Sequence, residues 1–455
     1  PRTPAPATPP RTIKVRPASL TGCGLPAPHR LSARTAPSHV SPAAARRCIA
    51  VHLAILNWRD PWQLTAGGAE AFAYEVARGF AERGDTVDFL TSREPGQPRR
   101  ETRDGIRWLR RGGRWSVYPA VLAQLIRARL CGPAYDFVID CQNGIPFFSP
   151  LALSRRRTGL ALVVHHVHDE QFGTHFSRPV AALGRWLEGP AARRVYRRHQ
   201  AVAVSESTIA AMRTRLRWTG PIVLVPNGVT REGFPALSLT PVLTLALRPA
   251  LRSASPLAPC SAAPLAPPRL VAVGRLVRHK RLERIVRLAD DLAETWPGIE
   301  VHIVGRGPDE HRIRAAAALL RHAARVHIHG HLPAEAKNAL VATSALHLSA
   351  SQGEGWGLSV LEAAALGVPT VAYDVDGLRD AIRDGVTGWL VAPGGTLADT
   401  VSSALKELDA DPALASEMRS SCIAWAAEFD WDRTRNAMAQ LAVRNSRSPG
   451  TRTIA

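Results

Sequence analysis

Cysteine is scarce in this sequence: six residues are scattered over 455, and none stands in C-x-x-C spacing. Sparse cysteine in a long chain argues against a disulfide framework and fits a reducing compartment, so a cytoplasmic protein is expected. Long apolar runs are also missing. The nearest, over 237–247, is too short for a transmembrane helix and contains Pro241. Residues 1–50 hold eight Lys or Arg but no Asp or Glu, and they lack the apolar core of a secretory signal. The G-x-G-x-x-G fingerprint is absent, which leaves little support for NAD binding. No repeat of solenoid period, zinc-finger spacing or RNA-recognition signature is visible.

What is present is a basic chain of ordinary globular composition. The formal charge is +20, of which +8 belongs to the first 50 residues, and 45% of residues are hydrophobic. Much of the remaining charge lies in short clusters, such as Arg155 to Arg157 and Arg193, Arg194, Arg197 and Arg198. Without a nucleic-acid signature such clusters read as solvated surface, so no nucleic-acid partner is expected. They would permit docking on the anionic inner face of a membrane.

Residues 1–50 are rich in Pro, Ala, Ser and Arg without periodicity and read as a disordered basic tail. The fold is expected to begin abruptly near Val51, and the preceding segment reads as an over-extended reading frame. From there strand and helix alternate. Strands are expected over 52–56, 86–90, 106–110, 137–139, 160–164, 201–204 and 222–225, with helices in the gaps, including 121–130 and 181–198. A second unit brings strands over 270–273, 300–304, 326–328, 345–348, 370–373 and 389–391. Between the units, residues 235–268 hold eight prolines, no glycine and no acidic residue, a linker or insertion. The predicted organisation is an α/β first domain over 51–234, that linker, a second domain over 269–425, and a helix and tail over 426–455. Alternation of this kind gives parallel sheets covered on both faces, hence two Rossmann-like domains facing each other across a cleft. Ligands then bind at the C-terminal ends of the strands.

The densest chemistry lies over 349–369, SASQGEGWGLSVLEAAALGVP. An apolar strand leads into a glycine loop carrying Glu354, and a helix starts at about Leu358, with Glu362 one turn in. Glycines leave backbone N–H groups open to close approach, and a helix start adds partial positive charge. Gly353, Gly355 and Gly357 with the helix start, where Gly357, Leu358 and Ser359 fall, therefore make an anion site suited to a diphosphate. Glu354 and Glu362 can face the same ligand as acceptors for hydroxyl groups. A buried strand–loop–helix unit with no ligand would show the same spacing.

With seven residues between them, Glu354 and Glu362 resemble the E-x7-E motif of retaining glycosyltransferases of the GT-B fold, family four. The likeness continues through residues 367–391. GRLVRHK, residues 274–280, resembles the family's donor motif, which implies that Arg275 and Lys280 hold a diphosphate; Arg278 and Arg281 are expected at the solvated surface. Gly67 and Gly68, otherwise a plain turn, correspond to a Gly-Gly whose backbone approaches the diphosphate. The HHVHDEQF run implies a histidine lining the cleft near the sugar, either His165 or His166. By the same resemblance Glu354 contacts the donor sugar and Glu362 the ribose.

The implied activity is transfer of a sugar from a UDP- or GDP-linked donor to a glycan, lipid-linked or small-molecule acceptor. Configuration would be retained, with no cofactor and no metal. A nucleotide-sugar epimerase or a phosphorylase on the same fold stays open, as does a noncatalytic nucleic-acid-binding protein. His327 and His329 share one face of a strand, which suggests a metal, but without a nearby cysteine or carboxylate triad no metal is expected there. Asp374 and Asp376 read as a loop beside the cleft. Trp58, Asp60 and Trp62 read either as acceptor contacts or as packing.

Overall fold

The computed structural model describes residues 50–63, 66–154, 156–230 and 267–446. The expectations for the tail and for nearly all of the proline-rich segment fall outside the described residues. The remaining chain builds two sheets. The first has eight strands, β1 (His52–Leu56), β2 (Thr86–Thr91), β3 (Arg100–Arg103), β4 (Ile106–Arg110), β5 (Phe137–Asn143), β6 (Gly159–His166), β7 (Gln200–Ala203) and β8 (Ile222–Leu224), in the order β3-β4-β2-β1-β5-β6-β7-β8. The second has six, β9 (Arg269–Val273), β10 (Glu300–Val304), β11 (Val326–Gly330), β12 (Leu346–Ser349), β13 (Thr370–Tyr373) and β14 (Gly388–Val391), in the order β11-β10-β9-β12-β13-β14. These are two Rossmann-like α/β domains. All pairings are parallel except β3 with β4.

The parallel strands form where apolar runs can be buried on both faces. Leu53, Ala54, Ile55 and Leu56 of β1 are all fully buried, as are Leu160 to Val164 of β6. β3 carries no such run (RETR), which is why no strand is expected there. Its signal is the turn: Asp104 and Gly105 both have positive φ and join β3 to β4 as a two-residue hairpin loop. The helix expected over 181–198 runs without a break from Arg178 to Tyr196, with a π-bulge inside it. Pro190 lies in that bulge (Leu187–Ala191), between the α-helical segments Arg178–Trp186 and Ala192–Tyr196, because its ring cannot continue the i→i−4 ladder.

Strand order reverses beside β1 in the first sheet and beside β9 in the second. At such switch points adjacent connections leave to opposite faces and open a crevice at the strand ends. Helix α1 (Gly68–Glu82) follows β1 and buries Phe72, Ala73, Val76, Ala77 and Phe80. The last described helix, Trp431–Asn445, returns to the first sheet. Arg435 forms an ion pair with Glu75 of α1, and Trp431 Nε1 donates to Thr230 Oγ1 (3.1 Å). Its Met438, Leu441 and Ala442 join the same apolar cluster as Phe72, Val76, Trp356 and Leu361. The two sheets thereby share a core.

Candidate active site

The loops after β1, β5, β6, β9 and β12 line one cleft of about 400 Å³. Gly67, Gly68, His165, His166, Arg275, Lys280, Glu354, Gly357, Leu358, Ser359 and Glu362 all line it, from stretches up to 295 residues apart in sequence.

The floor is an ion pair. Lys280 Nζ stands 2.6 Å from Glu354 Oε1, which also accepts from Ser351 Oγ at 2.5 Å. Burial alone would raise the Glu354 carboxyl. The Lys280 ammonium and the Ser351 hydroxyl outweigh burial and hold it down at about 2, so it is a carboxylate at neutral pH. Glu362 has its own lysine: Lys337 Nζ donates to its Oε2 at 2.7 Å from helix Ala334–Ala342.

Backbone geometry sets the loop. Gly357, the N-cap of helix Leu358–Ala365, has φ +74°, a conformation that favours glycine. The helix leaves the first-turn N–H groups of Leu358 and Ser359 without intrahelical partners. A Cβ on Gly355 would lie 2.1 Å from the His165 carbonyl oxygen, so only glycine lets this loop touch the end of β6. Arg281, expected at the solvated surface, instead clamps the loop: Nε donates to the Ala350 carbonyl (2.6 Å) and Nη2 to that of Ser351 (2.9 Å). It can do so because φ of +48° turns it back under the loop. Arg278 is exposed, as expected.

Across the cleft, Gly67 caps α1. Its N–H is already taken by Glu70 Oε2 at 2.7 Å, so α1 offers the following first-turn N–H groups rather than that of Gly67. A Cβ on Gly67 would lie 3.1 Å from Arg275 Nε, which places the guanidinium against this backbone. Burial, with the Arg59 charge nearby, pushes Arg275 below its ordinary pKa, so the site favours an arriving anion.

β6 runs to His166, two residues past its expected end, and gives the two histidines different surroundings. His165 is buried edge-on to Phe72 (5.1 Å), and its Nε2 finds no hydrogen-bond partner among the described residues. His166 Nε2 lies 3.0 Å from Gln171 Nε2. Burial pushes both down to about 3, with the His168 charge adding to it, so both are neutral at pH 7.

Trp58, Asp60 and Trp62 do not line the cleft; they pack. Trp58 Nε1 donates to the Arg114 carbonyl at 2.8 Å, Asp60 is fully buried against Arg110 (2.6 Å), and Trp62 meets Trp108 edge-on at 4.6 Å. Asp374 and Asp376 pair with Arg379, and Asp376 also with Arg215. Residues not singled out from sequence also line the cleft: Asn143, Gln171, Asn227 and His279. Asn227 and Asn143 sit at strand ends without a motif, and His279 lies inside GRLVRHK but not at one of its marked positions.

Residues 260–426 match the family described as Glycosyl transferases group 1, and residues 66–232 match Glycosyltransferase Family 4. The GDP-mannose-dependent alpha-(1-6)-phosphatidylinositol monomannoside mannosyltransferase of Mycolicibacterium smegmatis is 30% identical over 297 residues, 61% of this chain and 76% of that protein. The chain belongs to the group 1 glycosyl transferases. Another glycosyl transferase, the D-inositol 3-phosphate glycosyltransferase of Actinosynnema mirum, is 34% identical over 179 residues, 37% of this chain and 42% of that protein. The fold likeness to sucrose-phosphate synthase from Thermosynechococcus elongatus has a TM-score of 0.67 at 20% identity, over 87% of this chain and 98% of that one. The two glycosyl transferase matches flank the cleft: one carries Gly67, Gly68 and the histidines, the other Arg275, Lys280 and both glutamates.

Proposed function

We propose that this glycosyl transferase moves a hexose from a UDP- or GDP-linked donor to an acceptor hydroxyl with retention of configuration. The observation that carries the reading is the convergence of two fixed cations, a helix start and a depressed carboxylate on one cleft. Arg275, Lys280 and the N–H groups of Leu358 and Ser359 hold the diphosphate. As the glycosidic bond to the donor breaks, negative charge grows on the leaving diphosphate, and these groups already stand where it grows. Glu354 accepts from sugar hydroxyls and stabilises positive charge on the ring, while Glu362 accepts from the ribose. His165, with its unpartnered Nε2, and His166 face the sugar and acceptor. The organic side chains supply the positive charge themselves, so the transfer is read as metal-independent.

The acceptor is a glycan, a lipid-linked sugar or a small molecule; the relatives named for phosphatidylinositol monomannoside and D-inositol 3-phosphate put phosphorylated inositols first in a screen. No helix among the described residues is long and apolar enough to cross a membrane. Helix Arg178–Trp186 exposes Val180 (48%), Leu183 (55%) and Trp186 (55%) on one face and carries Arg178 and Arg185 on the other side. We read the apolar face as a peripheral contact with the anionic inner surface of a membrane.

A thermal-shift screen of nucleotide sugars tests the donor, because a ligand bound by the folded state raises Tm by mass action. A UDP- or GDP-sugar should raise Tm, and a labelled donor should pass its sugar only when acceptor is added. Sugar rearrangement without acceptor would favour an epimerase, and phosphate-dependent release a phosphorylase.

A further inference from the structure

Away from the cleft, two neighbouring strands bring together side chains that sequence alone keeps apart. Glu300 and His302 sit two apart on β10, and His327 and His329 two apart on β11. The parallel register sets His302 opposite His327, so all four project from one face of the sheet. The carboxylate missing beside His327 in the sequence is therefore supplied by the adjoining strand. One ligand atom each from Glu300, His302 and His327 lies within 4.8 Å of the others. The His302 and His327 rings stack at 4.7 Å.

We propose that Glu300, His302 and His327 bind a divalent transition-metal ion of the zinc class, which clips edge strand β11 to β10. Two imidazoles and one carboxylate form a mixed N/O set that suits zinc better than the all-oxygen sites of magnesium or calcium. Metal–ligand bonds of about 2.0–2.2 Å need ligand atoms roughly 3.3–3.5 Å apart, so binding requires the stacked rings to turn about their side-chain bonds until their lone pairs converge. His302 Nε2 is already 3.3 Å from Glu300 Oε2. Its other nitrogen, Nδ1, lies 2.9 Å from His329 Nε2. With the proton on Nδ1, His302 donates to His329 and keeps the Nε2 lone pair for the ion, His329 taking the place that a carboxylate or carbonyl commonly holds behind a ligating histidine. His329 is thus a positioning residue.

The opposing charge is Arg269, whose Nε stands 3.5 Å from Glu300 Oε2. Its Nη1 also donates to Thr343 Oγ1 at 2.9 Å, so the guanidinium keeps a partner when the carboxylate turns to the ion. β11 is an edge strand, which leaves the site open to an entering ion. None of the four residues lines the cleft, so the ion stabilises the domain rather than taking part in transfer.

The full chain, stripped with a chelator, is titrated with Zn²⁺ alone by calorimetry and with Co²⁺ by visible absorption. The expected result is one ion per chain, tetrahedral cobalt bands, and a Tm that rises with free Zn²⁺. His302→Ala and His327→Gln should lose that ion, and His329→Ala should weaken it about 10–100-fold. His327 is only half-buried, so His327→Gln carries the test should His302→Ala fail to fold. A wild-type chain that takes up no stoichiometric ion overturns the proposal. So does an ion held equally well by His327→Gln, which would place it on other histidines.

Discussion

Lys280 and Glu354 form an ion pair at 2.6 Å on the floor of the cleft, although each was expected to face a different part of the ligand. In the proposed reaction the diphosphate and the sugar divide the pair between them, Lys280 turning to phosphate and Glu354 to hydroxyls. The pair holds both side chains in place until then. Lys337 does the same for Glu362 at 2.7 Å.

The pair makes stability depend on pH. The folded-state pKa of Glu354 is depressed to about 2, so the folded chain holds fewer protons on this group than the unfolded chain. Its stabilisation is present above the ordinary carboxylate pKa and is lost as pH falls from about 4.5 to about 2, with a full size of about 3 kcal/mol. Urea denaturation of wild type and Glu354→Gln at several pH values should show a gap that closes over this window. A gap that stays constant with pH would remove the ion pair as its cause.

Arg275→Ala or Lys280→Ala should weaken binding of the free nucleoside diphosphate as well as lower turnover. A charge-assisted hydrogen bond to phosphate contributes about 1.5–3 kcal/mol, or roughly one to two decades in affinity. Lys280→Ala should also lower Tm, because it leaves a half-buried carboxylate without its cation. Calorimetric titration of the diphosphate checks both, and unchanged affinity in the two variants would take these residues out of the donor site.

The two glutamates should separate. Glu354→Gln should cut turnover sharply while the free diphosphate still binds nearly normally, since an amide cannot stabilise charge on the sugar ring. Glu362→Gln should weaken diphosphate and donor alike, by about 1.5–3 kcal/mol, because its proposed partner is the ribose. Titrating both ligands against each folded variant decides the matter. Equal affinities throughout would reduce the two residues to packing.

Arg281→Ala should lower stability by about 1.5–3 kcal/mol by releasing the Ala350 and Ser351 carbonyls. Arg281→Lys should restore little of it, because an ammonium lacks the planar fork that reaches both oxygens. Denaturation midpoints of the two variants check this; full recovery in the lysine variant would mean that only the charge matters.

Gly355→Ala should cost about 1–3 kcal/mol, since its Cβ would lie 2.1 Å from the His165 carbonyl and the loop would have to move. Gly113→Ala, where a Cβ meets nothing within 4 Å, should leave Tm nearly unchanged. Thermal melts of the two variants compare them directly.

Sequence by itself determined the buried parallel strands, though not edge strand β3, because runs such as LAIL over 53–56 and LALVV over 160–164 suit burial on both faces. It also determined the local pieces of the site: a glycine loop before a helix at 353–358, two cations after β9, two histidines at the end of β6. Those features depend on neighbours a few residues away. The tertiary structure alone decided what each piece meets. Lys337 reaches Glu362 from a helix with no motif, and Arg281 turns under a loop 69 residues further on. Glu300 and His302 stand beside His327 only because β10 and β11 pair in one register, and a slip of one residue would send them to the opposite face. Contacts of this kind follow from strand order and register, which are set by how two whole sheets bury their faces, and no short stretch of chain carries that information.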